Sequence, residues 1–206
     1  MIALAFLALV FQAPAEQSPR PLLIFVEHFG SDLAAERAGL SLASACRESR
    51  PVSILARRRG RVDHLTHDGA VVSTGPRADL YSALAGAFRD SGKGADVVYV
   101  GSRLPLGSGS RVVSRRARSS LDRSQDHGIG RDLGSTTTEF HHVPRTSLAF
   151  DRTLAALRRS GVTFHGVSFT TVPDDGMRLL AETSGGEIWT APGASIPSAA
   201  LDRLCR

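Results

Sequence analysis

Short apolar runs alternate along this chain with stretches of helical periodicity. Apolar or β-branched residues predominate in 21–26, 52–55, 95–100 and 162–169. A strand that is apolar at successive positions must be covered on both faces, which is typical of a mostly parallel sheet between layers of helices. A length of 206 residues fits one such domain.

The order of these segments predicts the fold class. A polar turn that contains Gly60 joins the second strand to a third strand region at 62–72, which indicates an antiparallel hairpin. A sixth strand is expected at 187–190. We therefore predict an α/β fold with a doubly wound, mostly parallel six-stranded sheet. One edge strand is antiparallel, helices cover both faces, and a long loop insert follows the fourth strand.

The amino terminus has the pattern of a secretory signal. An unbroken apolar run at 2–11 is followed by the small-x-small site Ala13-Pro14-Ala15. This predicts a signal peptide at 1–15, cleaved near Ala15, a single domain at 16–206, and a secreted or periplasmic location. The run is too short to span a bilayer, so no transmembrane segment is expected in the mature chain. A buried first strand and an uncleaved anchor remain as alternatives.

The segment 102–147 is rich in Gly, Ser, Thr and Arg and poor in large apolar residues. It leaves the sheet at the carboxyl end of the fourth strand, where open α/β sheets bind their ligands. It is interpreted either as an anion-contacting loop or as a flexible, solvated spacer. The first interpretation makes a protein or an anionic envelope polymer the expected partner. Nucleic acid is not expected, because no aromatic residues interleave with the charges. The candidate ligand-contacting residues of the insert are Arg103, Arg111, Arg115 and Arg116.

Motifs for common chemistries are missing from the sequence. It contains neither G-x-S-x-G nor a P-loop. The adjacent pair His141-His142 has no Cys or acidic cluster at metal-ligand spacing, so it is interpreted as a solvated pair. The arginines at 57, 58, 59 and 61 are interpreted as charge that keeps an exposed sheet edge soluble. We expect no catalytic residue, no bound metal and no cofactor.

One stretch carries a family resemblance. The run Leu180-Ala181-Glu182-Thr183-Ser184-Gly185-Gly186 lies within 161–193, and this stretch resembles the closing strand, helix and strand of the von Willebrand factor A-type domain. Residues 80–84 resemble the start of the helix before that family's fourth strand. The resemblance covers about 21–206 without the insert. Another doubly wound fold of the flavodoxin or Rossmann type is the alternative.

The resemblance implies a metal site that has degenerated. Many members of the family bind Mg²⁺ through an Asp-x-Ser-x-Ser run after the first strand, a Thr in a later loop and an Asp after the fourth strand. Here the run reads Glu27-His28-Phe29-Gly30-Ser31, the Thr position falls near Ala78, and no Asp follows Val100. Glu27 and Ser31 alone remain as oxygen donors, too few to hold Mg²⁺ well. Glu27, His28 and Ser31 are therefore predicted as metal-free ligand contacts.

The family also implies a function and suggests a disulfide. It predicts an exported, non-catalytic binding or adhesion domain. The alternatives are a secreted hydrolase that uses carboxylates at the carboxyl edge of the sheet, and a structural subunit of an envelope complex. In this fold the first and last helices pack side by side, which would bring Cys46 and Cys205 together. The two cysteines are otherwise interpreted as unpaired buried thiols.

Overall fold

Nine strands and five helices make up the part of the chain that the structure, a computed structural model, describes. This part comprises 19–27, 33–106, 110–116, 138–144, 147–193 and 195–206, with 110–116 and 138–144 described by their backbone. The strands are β1 Leu22–Glu27, β2 Val52–Arg58, β3 Arg61–Leu65, β4 Val71–Arg77, β5 Asp96–Gly101, β6 Ser110–Arg116, β7 Thr138–Pro144, β8 Thr163–Ser168 and β9 Ile188–Thr190. The helices are α1 Ala34–Cys46, α2 Leu80–Asp90, α3 Leu148–Ser160, α4 Asp175–Ser184 and α5 Ser198–Leu204.

The main sheet has seven strands in the order β4-β3-β2-β1-β5-β8-β9. Strands β2, β1, β5, β8 and β9 are parallel, and β3 pairs antiparallel with both β2 and β4. This confirms an α/β fold with a mostly parallel sheet and antiparallel pairing at one edge. The expected count of six strands is wrong. The region 62–72 forms two strands because the chain reverses at Gly69, whose φ is 86°.

A tight turn joins β2 to β3, as the sequence predicted. Arg58 lies opposite Arg61, which leaves a two-residue loop of Arg59 and Gly60. Their φ angles are 48° and 77°. Two successive positive φ values are the signature of the type I′ turn, whose twist matches the twist of the flanking strands.

Alternate residues of β1 lie in two separate cores. Leu22, Ile24 and Val26 pack with the apolar residues of α1 and α5. Leu23 and Phe25 pack instead with residues of α2, α3 and α4. Because successive side chains of a strand point to opposite faces, helices lie against both faces of the sheet. This explains why every residue of β1 is buried.

A disulfide joins the ends of the first and last helices. Cys46, at the end of α1, is bonded to Cys205, which follows α5, and their Cα atoms are 4.4 Å apart. The predicted pairing is confirmed. Cys46 is fully buried in the core that α1 and α5 share.

The long segment after β5 contains regular structure. Strands β6 and β7 form a separate antiparallel sheet in which Ser110 lies opposite Pro144 and Arg116 lies opposite Thr138. The expectation of a long loop is therefore corrected for these two stretches. That expectation rested on composition, but two strands whose backbones hydrogen-bond to each other need few large apolar residues.

Several predictions fall outside the described residues. The proposed signal peptide at 1–15 lies there, as do His28 and Ser31. Across the described ranges, no helix has both the length and the apolar character needed to cross a membrane.

Candidate functional site

A buried ion pair lies at the carboxyl edge of the sheet. Glu27 ends β1, and its register partner in the parallel strand β2 is Arg57. Arg57 Nη1 donates to Glu27 Oε1 at 2.7 Å, and the two side chains are 21% and 5% exposed. Arg57 Nε also donates to the carbonyl oxygen of Ala78 at 3.0 Å. The guanidinium thus links the ends of two strands to the segment before α2.

This pair occupies the region where the family resemblance places a cation. The resemblance would make Glu27 the counterpart of the first metal ligand and would place the expected Thr near Ala78. In the structure the Glu27 carboxylate and the carbonyl oxygen of Ala78 both accept from the guanidinium of Arg57. Among the described residues, no cluster of three or more His, Cys, Asp or Glu side chains could hold a metal ion.

The loop that follows β5 is fixed by three side chains. The Tyr99 hydroxyl donates to the carbonyl oxygen of Arg103 at 2.8 Å. The amide of Leu104 donates to Asp174 Oδ2 at 2.8 Å. The Tyr81 hydroxyl donates to the carbonyl oxygen of Pro105. Leu104 itself is fully buried, so this part of the predicted insert belongs to the core of the domain.

Both tyrosines that hold this loop are kept protonated by their surroundings. Burial raises the pKa of Tyr99 well above its usual value, and the nearby carboxylates of Glu27 and Asp174 raise it further. Burial also raises the pKa of Tyr81, with Asp174 and Asp79 adding to the effect. Each phenol therefore stays a hydrogen-bond donor to the loop.

The first turn of α4 packs directly against the same loop. A Cβ at Gly176 would lie 2.1 Å from the carbonyl oxygen of Leu104, so no larger residue fits there without a backbone shift. Asp174 immediately precedes α4 and uses its side chain to accept from Leu104 rather than to cap its own helix. The loop, α4 and the end of β5 therefore form one rigid unit.

The two ends of the β6–β7 hairpin meet on this unit. The amide of Ser147 donates to the carbonyl oxygen of Leu106 at 2.8 Å. The Ser147 hydroxyl accepts from the amide of Phe150 at 3.1 Å and so caps α3. The described residues on either side of the β6–β7 segment are therefore joined at the carboxyl edge of the sheet, where α3 and the loop after β5 hold them.

The structure brings some of the predicted contact residues to one edge. Glu27 lies there but is buried against Arg57. Arg103 is exposed in the loop after β5. The remaining three predicted arginines lie on β6, namely Arg111, Arg115 and Arg116.

Among the arginines at 57, 58, 59 and 61, two have a structural role that the sequence pattern did not predict. Arg57 pairs with Glu27, and Arg58 donates to both carboxylate oxygens of Glu36 in α1, at 2.5 and 3.1 Å. The sequence pattern favours solubilising charge for both. The available signal is that Arg57 lies just after the second predicted strand, as the acid Glu27 lies directly after the first.

A second polar cluster lies at the opposite, amino edge of the sheet. The buried Arg50 donates to Asp96 Oδ2 at 2.5 Å and to the carbonyl oxygens of Arg20, Pro21 and Leu204. His165 Nε2 lies 3.7 Å from Asp96 Oδ1. Burial opposes ionisation of Asp96, but the bonds and charges of His165 and Arg50 prevail and lower its pKa.

The sequence contains a signal for this second cluster. Asp96 and His165 are polar residues at the start of one otherwise apolar strand and within another. A polar residue inside a doubly covered strand needs a partner, and parallel register places that partner on a neighbouring strand or the loop before it.

Comparison of the sequence with known protein families and with curated proteins finds no match. The carboxyl edge combines a carboxylate paired with a guanidinium, a loop held by three side chains, and a hydrogen bond that joins the residues flanking the β6–β7 segment.

Proposed function

We propose that this chain is an exported, non-catalytic binding domain with a doubly wound fold that resembles the von Willebrand factor A-type domain. It binds an acidic protein or an anionic envelope polymer through the carboxyl edge of its sheet, without a metal ion. The observation that carries this proposal is the contact of 2.7 Å between Arg57 and Glu27 at the position of the family's cation.

The ion pair supports metal-independent binding on electrostatic grounds. A divalent ion is held by carboxylate oxygens that carry uncompensated charge. The Glu27 carboxylate already faces a cation that its own chain supplies, and that cation is held in place by the carbonyl oxygen of Ala78. A metal ion would have to displace a guanidinium from a site that is almost closed to water.

The hairpin supports an acidic or anionic partner. An isolated two-stranded hairpin is marginally stable in water, and within the described chain β6 and β7 pair only with each other. A partner that covers the hairpin would stabilise it. Three arginines in seven residues of β6 favour negative charge on that partner.

Export is supported by two features. The apolar run at 2–11 with its small-x-small site has the pattern of a signal peptide. The Cys46–Cys205 disulfide fits an oxidising compartment such as the periplasm or the extracellular space.

The carboxylates at this edge favour binding over hydrolysis. Glu27 is paired with Arg57, and Asp174 accepts the amide of Leu104. The partners that these bonds give the two carboxylates, a guanidinium and a backbone amide, are not nucleophiles that a general base could activate for hydrolysis.

The test compares two sets of substitutions that remove the same charge. The triple variant Arg111→Gln, Arg115→Gln, Arg116→Gln alters the hairpin, and Arg152→Gln, Arg158→Gln, Arg159→Gln alters exposed positions of α3. Binding to immobilised polyglutamate and to immobilised polygalacturonate is measured by surface plasmon resonance, with and without EDTA. Polyglutamate stands for an acidic protein and polygalacturonate for an acidic envelope polymer.

We expect wild type and the α3 variant to bind one of the two surfaces equally well. The hairpin variant should bind it about tenfold more weakly or worse, a loss of about 1.4 kcal/mol. EDTA should change nothing. Equal weakening in both variants, loss of binding in EDTA, or no binding to either surface would contradict the proposal.

A further inference from the structure

A polar cavity of about 520 Å³ lies at the amino edge of the sheet, on the side opposite the hairpin. Its floor is formed by the first residues of β5 and β8, and its mouth by the end of α5 and the segment before β1. Four arginines and a single aspartate line it, together with His165. The charged lining residues are Arg20, Arg50, Arg203, Arg206 and Asp96.

We propose that this cavity binds a phosphate or sulfate group. Guanidinium groups have a planar fork of donors that matches the oxygens of such anions, and several of them together favour a doubly charged ligand. The site is separate from the carboxyl edge, and its assignment does not depend on the proposed function.

The floor of the cavity is already organised. Arg50 is fixed by three backbone carbonyl oxygens and by Asp96, so its guanidinium cannot turn away. His165 Nδ1 accepts the amide of Glu187 at 3.1 Å, and its ring stacks on Trp189 at 5.5 Å between centroids. With Nδ1 acting as acceptor, the proton of neutral His165 resides on Nε2, the ring nitrogen that lies near Asp96.

The mouth of the cavity carries guanidiniums that are free to exchange partners. Arg203 lies 3.2 Å from Glu187, and Arg206 lies 3.3 Å from Asp202. All four of these side chains are more than half exposed. Exposed ion pairs of this kind contribute little, so either arginine can turn to an anion at small cost.

The disulfide positions these two arginines. Cys205 lies between Arg203 and Arg206, and its bond to Cys46 fastens the end of α5 to the end of α1. The carbonyl oxygen of Leu204 is also bonded to Arg50 in the floor, at 2.8 Å. The mouth is therefore held to α1 by one covalent link and to Arg50 by one hydrogen bond, which reduces the ordering that a ligand must impose.

The size of the cavity bears on the form of the ligand. A single tetrahedral anion fills only part of about 520 Å³, so the same chemistry is available to a free anion and to a small ester. Inorganic phosphate, sodium sulfate and methyl phosphate are the probes that distinguish these two sources. Phosphate binding without methyl phosphate binding indicates the free anion, and binding of both indicates an ester group.

The experiment is calorimetric titration of the oxidised protein at constant ionic strength, with chloride as the balancing ion. The variant Arg203→Gln, Arg206→Gln alters the mouth and leaves the floor intact. The control Arg152→Gln, Arg178→Gln removes two exposed arginines elsewhere, one of which also has an ion-pair partner. Circular dichroism and the unfolding temperature establish that each variant is folded.

We expect saturable binding of phosphate or sulfate at one site per chain, weakened about tenfold or more in the mouth variant and by less than about twofold in the control. Absence of saturable binding to wild type would overturn the proposal, and so would equal weakening in the two variants. Loss of binding when chloride replaces another monovalent anion at the same ionic strength would overturn it as well.

Discussion

Arg57 Nη1 and Glu27 Oε1 are 2.7 Å apart at the last register position of the β1–β2 pairing. Glu27 ends β1, Arg57 is the last residue but one of β2, and each is more than three-quarters buried. The sheet thus neutralises a buried acid at its carboxyl edge with a side chain from the neighbouring strand. The two groups depend on each other, since removal of either one leaves a charge with little access to water.

Replacing Arg57 by Met should destabilise the protein more than replacing both partners. Arg57→Met leaves Glu27 without its cation and should cost about 3–5 kcal/mol of unfolding free energy. The double variant Glu27→Leu, Arg57→Met removes both charges and should recover much of that loss. Urea denaturation measures both values. Arg61→Met, at an exposed position of β3, is the control and should change stability by less than about 0.5 kcal/mol.

Divalent ions should leave the unfolding temperature of the wild-type protein unchanged. The Glu27 carboxylate is compensated internally, so millimolar Mg²⁺ or Mn²⁺ has little to gain there. Differential scanning calorimetry with each ion and with EDTA measures the effect. A rise in unfolding temperature that Glu27→Gln abolishes would show that the site still binds a cation.

Removing the disulfide should destabilise the domain strongly. The bond closes a loop with a sequence separation of 159 residues, and the chain-entropy model gives an upper value of about 5 kcal/mol for so long a loop. The comparison is between wild type and Cys46→Ala, Cys205→Ala by chemical denaturation. Mass spectrometry of the unreduced wild-type protein that found two free thiols would contradict the pairing directly.

Asp96 should contribute to acid sensitivity. Its pKa is lower in the folded state because the favourable effects of His165 and Arg50 exceed the cost of burial. A carboxyl group whose folded pKa is depressed stabilises the fold above its unfolded pKa of about 3.9 and loses that contribution as pH falls through the lower folded value. The unfolding free energy of wild type, measured from neutral pH down to acid, should decrease across this pH range. Asp96→Asn should flatten that part of the profile and be less stable at neutral pH.

Tyrosine ionisation should report on the loop after β5. The chain has two tyrosines, Tyr81 and Tyr99, and both have raised pKa values and donate to this loop. In the folded protein, the absorbance of the ionised tyrosines should therefore rise only above the usual midpoint of about pH 10. In denaturant it should rise at that usual midpoint. A raised folded pKa stabilises the fold below the unfolded value, so stability should fall as pH increases further. Tyr99→Phe should remove one donor and cost about 1 kcal/mol.

The sequence predicted the layered architecture because it depends on local pattern. The run at 21–26 is apolar at every position but the first, and such a segment forms a strand covered on both faces wherever it sits. The miscounted region 62–72 shows the limit of this reasoning. Whether Asp68-Gly69 interrupts one strand or joins two depends on whether a further strand finds a place at the edge of the sheet, and the pattern does not contain that information.

The site was harder to predict because it depends on register. Arg57 lies in a run of arginines that suggests a solvated surface, and only the parallel pairing with β1 places it beside Glu27. The same holds for Arg50, Asp96 and His165, which come from three separate segments of the chain. The cysteines could be paired in advance because the fold brings the ends of its first and last helices together.

The hydrogen bond between the Ser147 amide and the Leu106 carbonyl oxygen marks the two positions between which a segment of the chain can be replaced. A segment whose two ends are already joined by the framework transmits little strain when its length or sequence changes. Replacing 107–146 by a short glycine-serine bridge, or by a recognition peptide of another specificity, should leave the scaffold intact. The architecture thus separates the residues that the fold requires from a segment whose length and sequence the fold leaves free to vary.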